Sequence, residues 1–441
     1  MNIITSSILV GISIIAIIVL TSRLKLNVFI ALFLVSLFLA FTTLPAQSIV
    51  GVLKEGFGST MASIGFLIIL GAIIGIILDK AGGALSIAKY ILSKTGEKRS
   101  PAALGITGFI TGMPIFCDSG FIILSGLSRS LSAKSGLAKT FMATVLATSL
   151  YAVHCLTPPH PGALAAAGIM NANIGHLVIL GIVFAIPGVF AAFYWNKRMS
   201  KTDSFAASSD EDVFTDYAEL PSVFRSFLPI VVPLLLITLR SLFTINAGAD
   251  RGLIEEIIIV AGEPVFALST GVVLALTLVS KKRRTSINDI FKESIEKAGP
   301  ILIITAAGGM FGAVIKATGT GETLGKLLSE VNMGILAPFI IAVIMKTAQG
   351  SSTVAIITAA SFVAPMLPAL GLDSESGRLF SMLAMGAGSM MISHANDSYF
   401  WVVSNFSDIA PKDTLKVFST STIVMGTVIF ALVWITSMFV L

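Results

Sequence analysis

Four clusters of polar residues interrupt stretches of the chain that are otherwise apolar. A charged side chain at the centre of a bilayer costs about 2.5–3.5 kcal/mol even on insertion scales, so polar groups in such stretches usually serve a function. Asp118 and Asp397 are the hardest to explain as packing residues, because a short carboxylate cannot reach far toward water. The clusters lie at Phe116 to Gly120, His154 to Gly162, Lys346 to Thr353 and His394 to Ser398.

These residues have the chemistry to bind a hydroxylated organic anion. The Lys346 ammonium can pair with a carboxylate, and hydroxyl and amide groups can hydrogen-bond a polyhydroxylated ligand. The predicted substrate-binding residues are Ser119, Thr157, His160, Lys346, Gln349, Ser351, Ser352, Thr353, Asn396 and Ser398. Carboxylates and imidazoles can also carry a transported proton. The predicted proton-coupling residues are Asp118, Asp397, His154 and His394.

Each assignment competes with a structural explanation. A serine or threonine in a membrane helix often bonds back to the preceding turn. A lysine can extend to the membrane interface, and a buried histidine can bond a neighbouring carbonyl. The sequence leaves both explanations open for Lys346, His154 and His394.

Prolines define the break in the second cluster. Pro158, Pro159 and Pro161 fall within four residues, and such a run cannot continue a helix. A half-helix that ends inside a membrane offers free backbone N–H groups and the positive end of its dipole, which favour an anion. The sequence therefore predicts that broken helices, together with the polar side chains, form an anion site.

The composition places these clusters in a membrane protein. The 441 residues are 55% hydrophobic and only 12% charged, with a mean hydropathy of +0.94. Soluble domains are about a quarter charged, and a soluble fold of this size could not cover its surface with so few charges. The 39 glycines suit close helix packing in lipid. Cys117 and Cys155, both in apolar segments, are interpreted as small packing residues without a disulfide.

Several classes of function are excluded by missing motifs. The chain has no nucleotide-binding loop, no Cys/His metal pattern, no H-E-x-x-H helix and no G-x-S-x-G elbow. We therefore expect no enzyme activity, cofactor, bound metal or nucleic-acid partner. The expected partners are the lipid bilayer and a small organic anion, and a homodimer stays open.

Hydropathy predicts an all-α polytopic membrane protein with about ten spanning helices, two re-entrant hairpins and two broken helices. The hairpins are predicted where apolar stretches are interrupted by Gly, Pro and polar residues, which is tolerated at membrane depth only inside the protein or along a cavity. The predicted spans are 3–21, 26–44, 60–78, 138–156, 174–195, 224–243, 258–280, 300–316, 379–395 and 417–440, and the hairpins are 101–131 and 334–367.

The basic residues predict the orientation. With both termini outside, most of the 29 lysines and arginines fall on the cytoplasmic side, as the positive-inside rule requires. The polar stretch at 196–223, rich in Ser, Asp and Glu, is then a cytoplasmic linker. We expect the protein to lie in the inner (plasma) membrane.

The two halves of the chain resemble each other. Gly71 and Gly75 recur as Gly308 and Gly312, and His154 recurs as His394 at nearly the same offset. Because the matching spans cross in opposite directions, the sequence predicts an inverted repeat, a plan that many secondary transporters share. The predicted domains are 1–195 with hairpin 101–131 and broken helix 138–170, the linker 196–223, and 224–441 with hairpin 334–367 and broken helix 379–410.

At these clusters the chain resembles the gluconate permease (gluconate:proton symporter) family over nearly its whole length. The resemblance rests on His154 with Pro158-Pro159-His160-Pro161-Gly162, on Gly350-Ser351-x-Thr353-Val354-Ala355, and on Ser393-His394-x-Asn396-Asp397. It implies proton-coupled uptake of sugar acids or similar hydroxy acids. It also implies kinship with inverted-repeat transporters thought to move one domain as an elevator.

Two positions depart from the members that the chain most resembles. Those members commonly carry glutamate at the position of Asp118 and arginine at the position of Lys346. A shorter carboxylate and a point-charge ammonium reshape the site. Gluconate, glycerate, other aldonates, hexuronates and D-serine-like amino acids all stay open as substrates, and Na⁺ coupling or a passive anion channel are the alternative functions.

The orientation can be tested by labelling. Cysteines introduced one at a time at positions 200–215 should react only with reagents that cross the membrane, because this segment is predicted to be cytoplasmic. Labelling of intact cells with membrane-permeant and impermeant maleimides measures this. Reaction with the impermeant reagent would overturn the orientation.

Overall fold

The computed structural model describes residues 3–96, 99–200, 220–245, 252–279, 287–330 and 332–441. Of these described residues 84% are helical and none lies in a β-strand, which confirms the predicted all-α class. The segment predicted as a linker, 196–223, lies largely outside the described residues.

The first half of the chain contains nine helices within these ranges. They are α1 (Ile3–Ser22), α2 (Val28–Thr43), α3 (Ala46–Lys80), α4 (Gly83–Thr95), α5 (Ser100–Thr111), α6 (Cys117–Ser135), α7 (Lys139–Leu156), α8 (Pro161–Met170) and α9 (Ile174–Met199).

The second half continues the numbering. Its helices are α10 (Val223–Ile245), α11 (Leu253–Ala261), α12 (Pro264–Leu276), α13 (Ile287–Ala317), α14 (Thr320–Glu330), α15 (Leu336–Gln349), α16 (Ser352–Val363), α17 (Glu375–Ser389), α18 (Ser398–Phe406), α19 (Pro411–Thr414) and α20 (Thr420–Val440).

Several helices are long and apolar enough to cross a bilayer. Six meet that description among the described residues, and a seventh crossing results if α11 and α12, bent by 71°, form one span. The shorter apolar helices include α2, α5 and α15. The predicted count of about ten spans and the re-entrant placement of the hairpins stay predictions.

Four predicted spans differ from the helices observed. One is 379–395, because α17 already ends at Ser389. Helix α3 begins at Ala46 rather than near 60, and α13 begins at Ile287 rather than near 300. Hydropathy missed both extensions because they carry charged residues such as Lys54 and Glu293. The straight span predicted at 258–280 is instead the bent pair α11 and α12, since Pro264 starts a new helix.

Helices α3 and α13 pack along each other in opposite directions. An ideal Cβ on Gly309 would lie 2.9 Å from the Gly56 carbonyl oxygen and would also overlap Thr60. Lys80, at the far end of α3, pairs with Glu293, near the start of α13. Two small residues thus let the helix backbones touch, as in other close membrane helix pairs.

The same order of helices occurs in both halves. A long helix (α3, α13) is followed by a short one (α4, α14), two helices separated by a break (α5 and α6, α15 and α16), a broken helix (α7 and α8, α17 and α18) and a final long helix (α9, α20). In both halves the helix before the first break packs on the start of the broken helix, α5 on α7 and α15 on α17. This order agrees with the predicted repeat, whose inverted arrangement stays a prediction.

Candidate functional site

Four breaks in the helices carry the polar clusters. They lie at 112–116 before α6, 157–160 before α8, 350–351 before α16 and 390–397 before α18. Each break is followed at once by the N-terminus of a helix. The breaks therefore supply both irregular backbone and helix ends.

Side-chain contacts join the break before α8 to its neighbours. The ring of Phe116, before α6, meets the His160 ring edge-on at a centroid distance of 5.5 Å. On the other side, an ideal Cβ on Gly162 would lie 3.2 Å from the Thr353 Cα in α16. The starts of α6, α8 and α16 therefore lie next to one another.

The break before α18 completes the arrangement. A Cβ on Gly350 would overlap the Asn396 carbonyl, so the breaks before α16 and α18 touch. Gly350 also has φ of +82°, a left-handed conformation that favours glycine. Tyr399 of α18 meets Phe121 of α6 edge-on at 6.1 Å between ring centroids. The four breaks thus form a closed ring of contacts.

Helix α3 presses against two of the breaks. A Cβ on Gly71 would lie 2.9 Å from the Pro159 carbonyl oxygen, and one on Gly75 would overlap the Pro114 carbonyl. Gly71 and Gly75, which form a G-x-x-x-G motif, therefore allow the backbone of α3 to approach the backbone of the site closely. Its counterpart, Gly308 and Gly312, packs against Ser361 of α16.

Two of the four helix N-termini are capped by side chains. Asp397 Oδ1 accepts a hydrogen bond from Tyr399 N at 3.1 Å, and Ser351 Oγ accepts one from Val354 N at 3.4 Å. These bonds satisfy first-turn donors of α18 and α16.

The other two N-termini have no such cap. Helix α6 follows Phe116 and α8 follows His160, and neither side chain caps its helix. The first-turn N–H groups of a helix have no partner inside the helix, and they carry the positive end of the dipole. The first turn of α6 already contains the Asp118 carboxyl group, whereas that of α8 contains no acidic residue, so the start of α8 is the better suited of the two to an anion.

Lys346 and Asp397 form a buried ion pair. The Lys346 side chain is 0% exposed, and its Nζ donates to Asp397 Oδ2 at 2.6 Å and to the Gly350 carbonyl oxygen. Ser393 Oγ donates to the same carboxylate oxygen at 2.6 Å. Buried charges cost several kcal/mol each to desolvate, so such a pair persists only when its hydrogen bonds are satisfied.

This pairing differs from what the sequence suggested for Lys346. We expected its ammonium to meet a ligand carboxylate, whereas in the structure it meets Asp397, which lies 51 positions further along the chain. The alternative, in which the Lys346 side chain extends to the membrane interface, does not describe this structure, because the side chain is fully buried.

Tyr151 is a site residue that the sequence did not reveal. Its hydroxyl donates to Asp397 Oδ2 at 3.4 Å, and Lys346 Nζ lies 5.6 Å from the centre of its ring. The Tyr151 ring also lies 6.0 Å from the His154 ring and 5.2 Å from the Tyr399 ring. In the sequence it looks like one more apolar residue of α7, although its spacing three residues before His154 places both on one helix face.

Two of the three predicted histidines, His154 and His160, lie together and are buried. The centres of the His154 and His160 rings are 3.5 Å apart, and His154 Nε2 lies 3.3 Å from Thr353 Oγ1. Within the described residues, no hydrogen bond reaches His154 Nδ1, either nitrogen of His160 or Thr157 Oγ1. Buried polar atoms are rarely left without partners, so this group suits a polar ligand.

More buried polar atoms lie at the start of α6 and at the end of α15. Asp118 Oδ1 and both amide atoms of Gln349 have no hydrogen-bond partner in the described part of the chain. Ser119 Oγ accepts a hydrogen bond from Lys297 Nζ at 3.4 Å. Lys297, from the polar extension of α13, was not predicted as a site residue because it precedes the apolar span.

The remaining predicted residues take part in the site to different degrees. Asn396 Nδ2 donates to the Thr347 carbonyl at 2.8 Å, and the His394 carbonyl accepts from Asp397 N at 2.8 Å. The His394 side chain is half-buried, Ser352 is buried, and Ser398 is exposed at the start of α18. Ser398 is therefore the predicted residue least engaged in the site.

Comparison with known proteins decides the family. A profile of GntP family permeases matches residues 4–439 of the chain. The chain belongs to the GntP permease family. This confirms the resemblance drawn from the sequence, and it makes the protein a membrane transporter and not an enzyme.

Individual relatives of this GntP permease agree with that assignment. The inner membrane permease YgbN of Escherichia coli (strain K12) is 32% identical, with 96% of each chain covered. The high-affinity gluconate transporter of the same organism is 30% identical over 93% of this chain and 94% of its own. The YdaH transporter of Alcanivorax borkumensis shares the fold, with a TM-score of 0.62 at 13% identity over 93% of this chain and 98% of that one.

The buried ion pair of this permease can be tested by a double-mutant cycle. Lys346→Gln or Asp397→Asn alone should destabilise the protein by about 3–5 kcal/mol, because each leaves one buried charge without its partner. The double variant should recover much of that loss. Thermal unfolding in detergent measures all three variants.

The exposed pair Lys139–Asp408, with an N–O distance of 2.9 Å and an Asp408 side chain that is 83% exposed, serves as the control. The same cycle there should yield about 0–1 kcal/mol. Equal losses at the two pairs would contradict the role given to burial.

Proposed function

We propose that the protein is a secondary active transporter that takes up a small hydroxylated carboxylate, gluconate or a related sugar acid, together with a proton. The observation that carries this proposal is the pair of uncapped helix N-termini, α6 and α8, beside buried polar atoms that have no partner among the described residues. Relatives named as an inner membrane permease and a gluconate transporter support the substrate class and the inner membrane as location.

The substrate carboxylate is proposed to bind at the start of α8. The N–H groups of Gly162 and Ala163 lie in its uncapped first turn, and the imidazole of His160 and the hydroxyl of Thr157 are adjacent in sequence. Lys346 is less suited to this task, since Asp397 already neutralises it. The Lys346 charge acts instead by fixing the break before α18.

The hydroxyl groups of the substrate are proposed to meet the side chains opposite. Gln349 offers a free amide donor and acceptor, and Asn396 Oδ1 is a buried acceptor with no partner in the described residues. Thr353 and Ser119 add hydroxyl groups at the starts of α16 and α6. A polyhydroxylated acid can satisfy donors and acceptors together, whereas an apolar carboxylate would leave them unpaired.

Asp118 is the proposed proton carrier. Asp397 already accepts hydrogen bonds from Lys346, Ser393 and the Tyr399 N–H, so a proton arriving there would displace an existing ion pair. Asp118 Oδ1 is buried and has no partner in the described residues. One proton with one monoanion makes the loaded step electroneutral, and a pH gradient then supplies about 1.4 kcal/mol per unit.

The position of the site suggests how access alternates. Gly71, the contact point on α3, lies about 14 Å from the Lys80 end of that helix and about 38 Å from the Ala46 end, at 1.5 Å per residue. Under the predicted orientation the Lys80 end is cytoplasmic, so the site lies toward the cytoplasm. We propose that the ring of breaks moves as a unit past α3 and α13 to reach the outside, which is an elevator movement of an inverted repeat.

A ligand screen tests the substrate class. The purified protein should show a higher melting temperature with one or more C3–C6 hydroxy acids than with the matching unhydroxylated acids, since only the former satisfy the buried polar groups. Each acid is measured with Na⁺ and with choline as the cation. No stabilisation by any hydroxy acid would contradict the proposal.

The proton-carrying role of Asp118 is tested by Asp118→Asn. The amide mimics the protonated acid, so the variant should still exchange substrate in counterflow but lose accumulation driven by a pH gradient. Uptake into proteoliposomes measures both reactions. Asp408→Asn, at an exposed carboxylate, should keep both. If Asp118→Asn still concentrates substrate, the proton binds elsewhere.

A further inference from the structure

We propose that the Lys346 ammonium occupies a site built for an alkali cation, and that removing this side chain uncovers a Na⁺ site at Asp397. In the wild-type protein the Lys346 ammonium group then takes the place of the ion, and no Na⁺ is needed at this position. This inference deepens the proposed function, on which it rests for the identity of the coupling ion.

The two oxygen atoms that the ammonium contacts are of kinds that hard cations bind. Lys346 Nζ donates to the Gly350 carbonyl oxygen and to Asp397 Oδ2. The hydroxyls of Ser393 and Tyr151 donate to that carboxylate oxygen at 2.6 and 3.4 Å. Carbonyl, carboxylate and hydroxyl oxygens are the ligands of hard cations. Unwound backbone and the C-terminal ends of half-helices hold Na⁺ in other transporters.

The local electrostatics also favour a cation. Lys346 lies in the last turn of α15, where the helix dipole is negative, and Gly350 ends that helix. The Asp397 carboxylate adds a full negative charge on the opposite side. A single positive charge at the position of Nζ balances both contributions.

Burial makes that positive charge necessary. Lys346 and Ser393 are 0% exposed and Asp397 is 3% exposed, so water cannot replace a missing cation without opening the site. Without the Lys346 side chain, Asp397 would be an uncompensated buried carboxylate. A Na⁺ ion restores both the charge and the oxygen coordination, in the space that the lysine vacates.

A fixed ammonium differs from a bound ion in one functional respect. Na⁺ can leave on one side of the membrane and return from the other, so it can drive transport, whereas Lys346 remains attached to α15. Coupling to a Na⁺ gradient through this site is therefore closed to the wild-type protein. The proposed function couples transport to a proton instead, with Asp118 as its proposed carrier.

The test compares Lys346→Ala with the wild type in the absence of substrate. Melting temperatures are measured in NaCl, KCl and choline chloride at equal ionic strength. The wild type should show no difference specific to Na⁺. Lys346→Ala should melt lower in choline and rise saturably in Na⁺, by at least about 2 °C. Lys346→Ala/Asp397→Asn should lose this response, because the carboxylate ligand is gone.

The exposed pair again serves as the control. Lys139→Ala leaves Asp408 unpaired at the surface, where water solvates it, and should show no response specific to Na⁺. A Na⁺ effect of equal size in Lys139→Ala would show nonspecific salt stabilisation and overturn the proposal. So would a Lys346→Ala protein that is indifferent to Na⁺, since Asp397 would then be neutralised by a proton instead.

A second measurement keeps the proposal testable if Lys346→Ala does not fold. Wild-type proteoliposomes with an imposed pH gradient should take up the hydroxy acid found in the screen at the same rate with Na⁺ or choline outside. A rate that requires Na⁺ would overturn the inference. If no hydroxy acid binds the wild type, the proposed function is contradicted. The Na⁺ response of Lys346→Ala is measured without substrate, so it still tests the inference.

Discussion

A backbone that leaves helical geometry inside a membrane must find its hydrogen bonds within the protein. Within the described residues, four breaks between helices carry the polar clusters, and the rest of the site follows from them. The four breaks contact one another, α3 supplies glycines where the backbone of two breaks approaches it, and side chains cap two of the four new helix starts. The irregular segments are therefore tolerated because they support each other rather than facing lipid.

The ion pair between Lys346 and Asp397 fixes one side of this arrangement. Lys346 lies in the last turn of α15 and Asp397 is the N-cap of α18, so the ion pair joins the two breaks of the second half. The Tyr151 hydroxyl extends the network to α7 of the first half. Because these atoms are buried, the network defines one geometry for the segments that carry it.

Much of the fold could be predicted from the sequence, and part of the site could not. The prolines at 158–161 fixed a break that the structure places at 157–160, and apolar runs located most of the helices. Hydropathy failed where a helix continues into polar sequence, as at both ends of the α3–α13 pair. It also could not give the partner of Lys346, the role of Tyr151 or the contact from Lys297, since each depends on a tertiary contact between distant segments.

The uneven capping of the four helix starts has a consequence for the transported molecule itself. Helices α16 and α18 carry permanent caps, whereas α6 and α8 have none from the side chains before them. Under the proposed function, the substrate carboxylate completes the first turn of α8 in the way an N-cap residue does. The substrate then acts as an N-cap that comes and goes with each transport cycle. The first turn of α8 is therefore more stable in the loaded carrier than in the empty one.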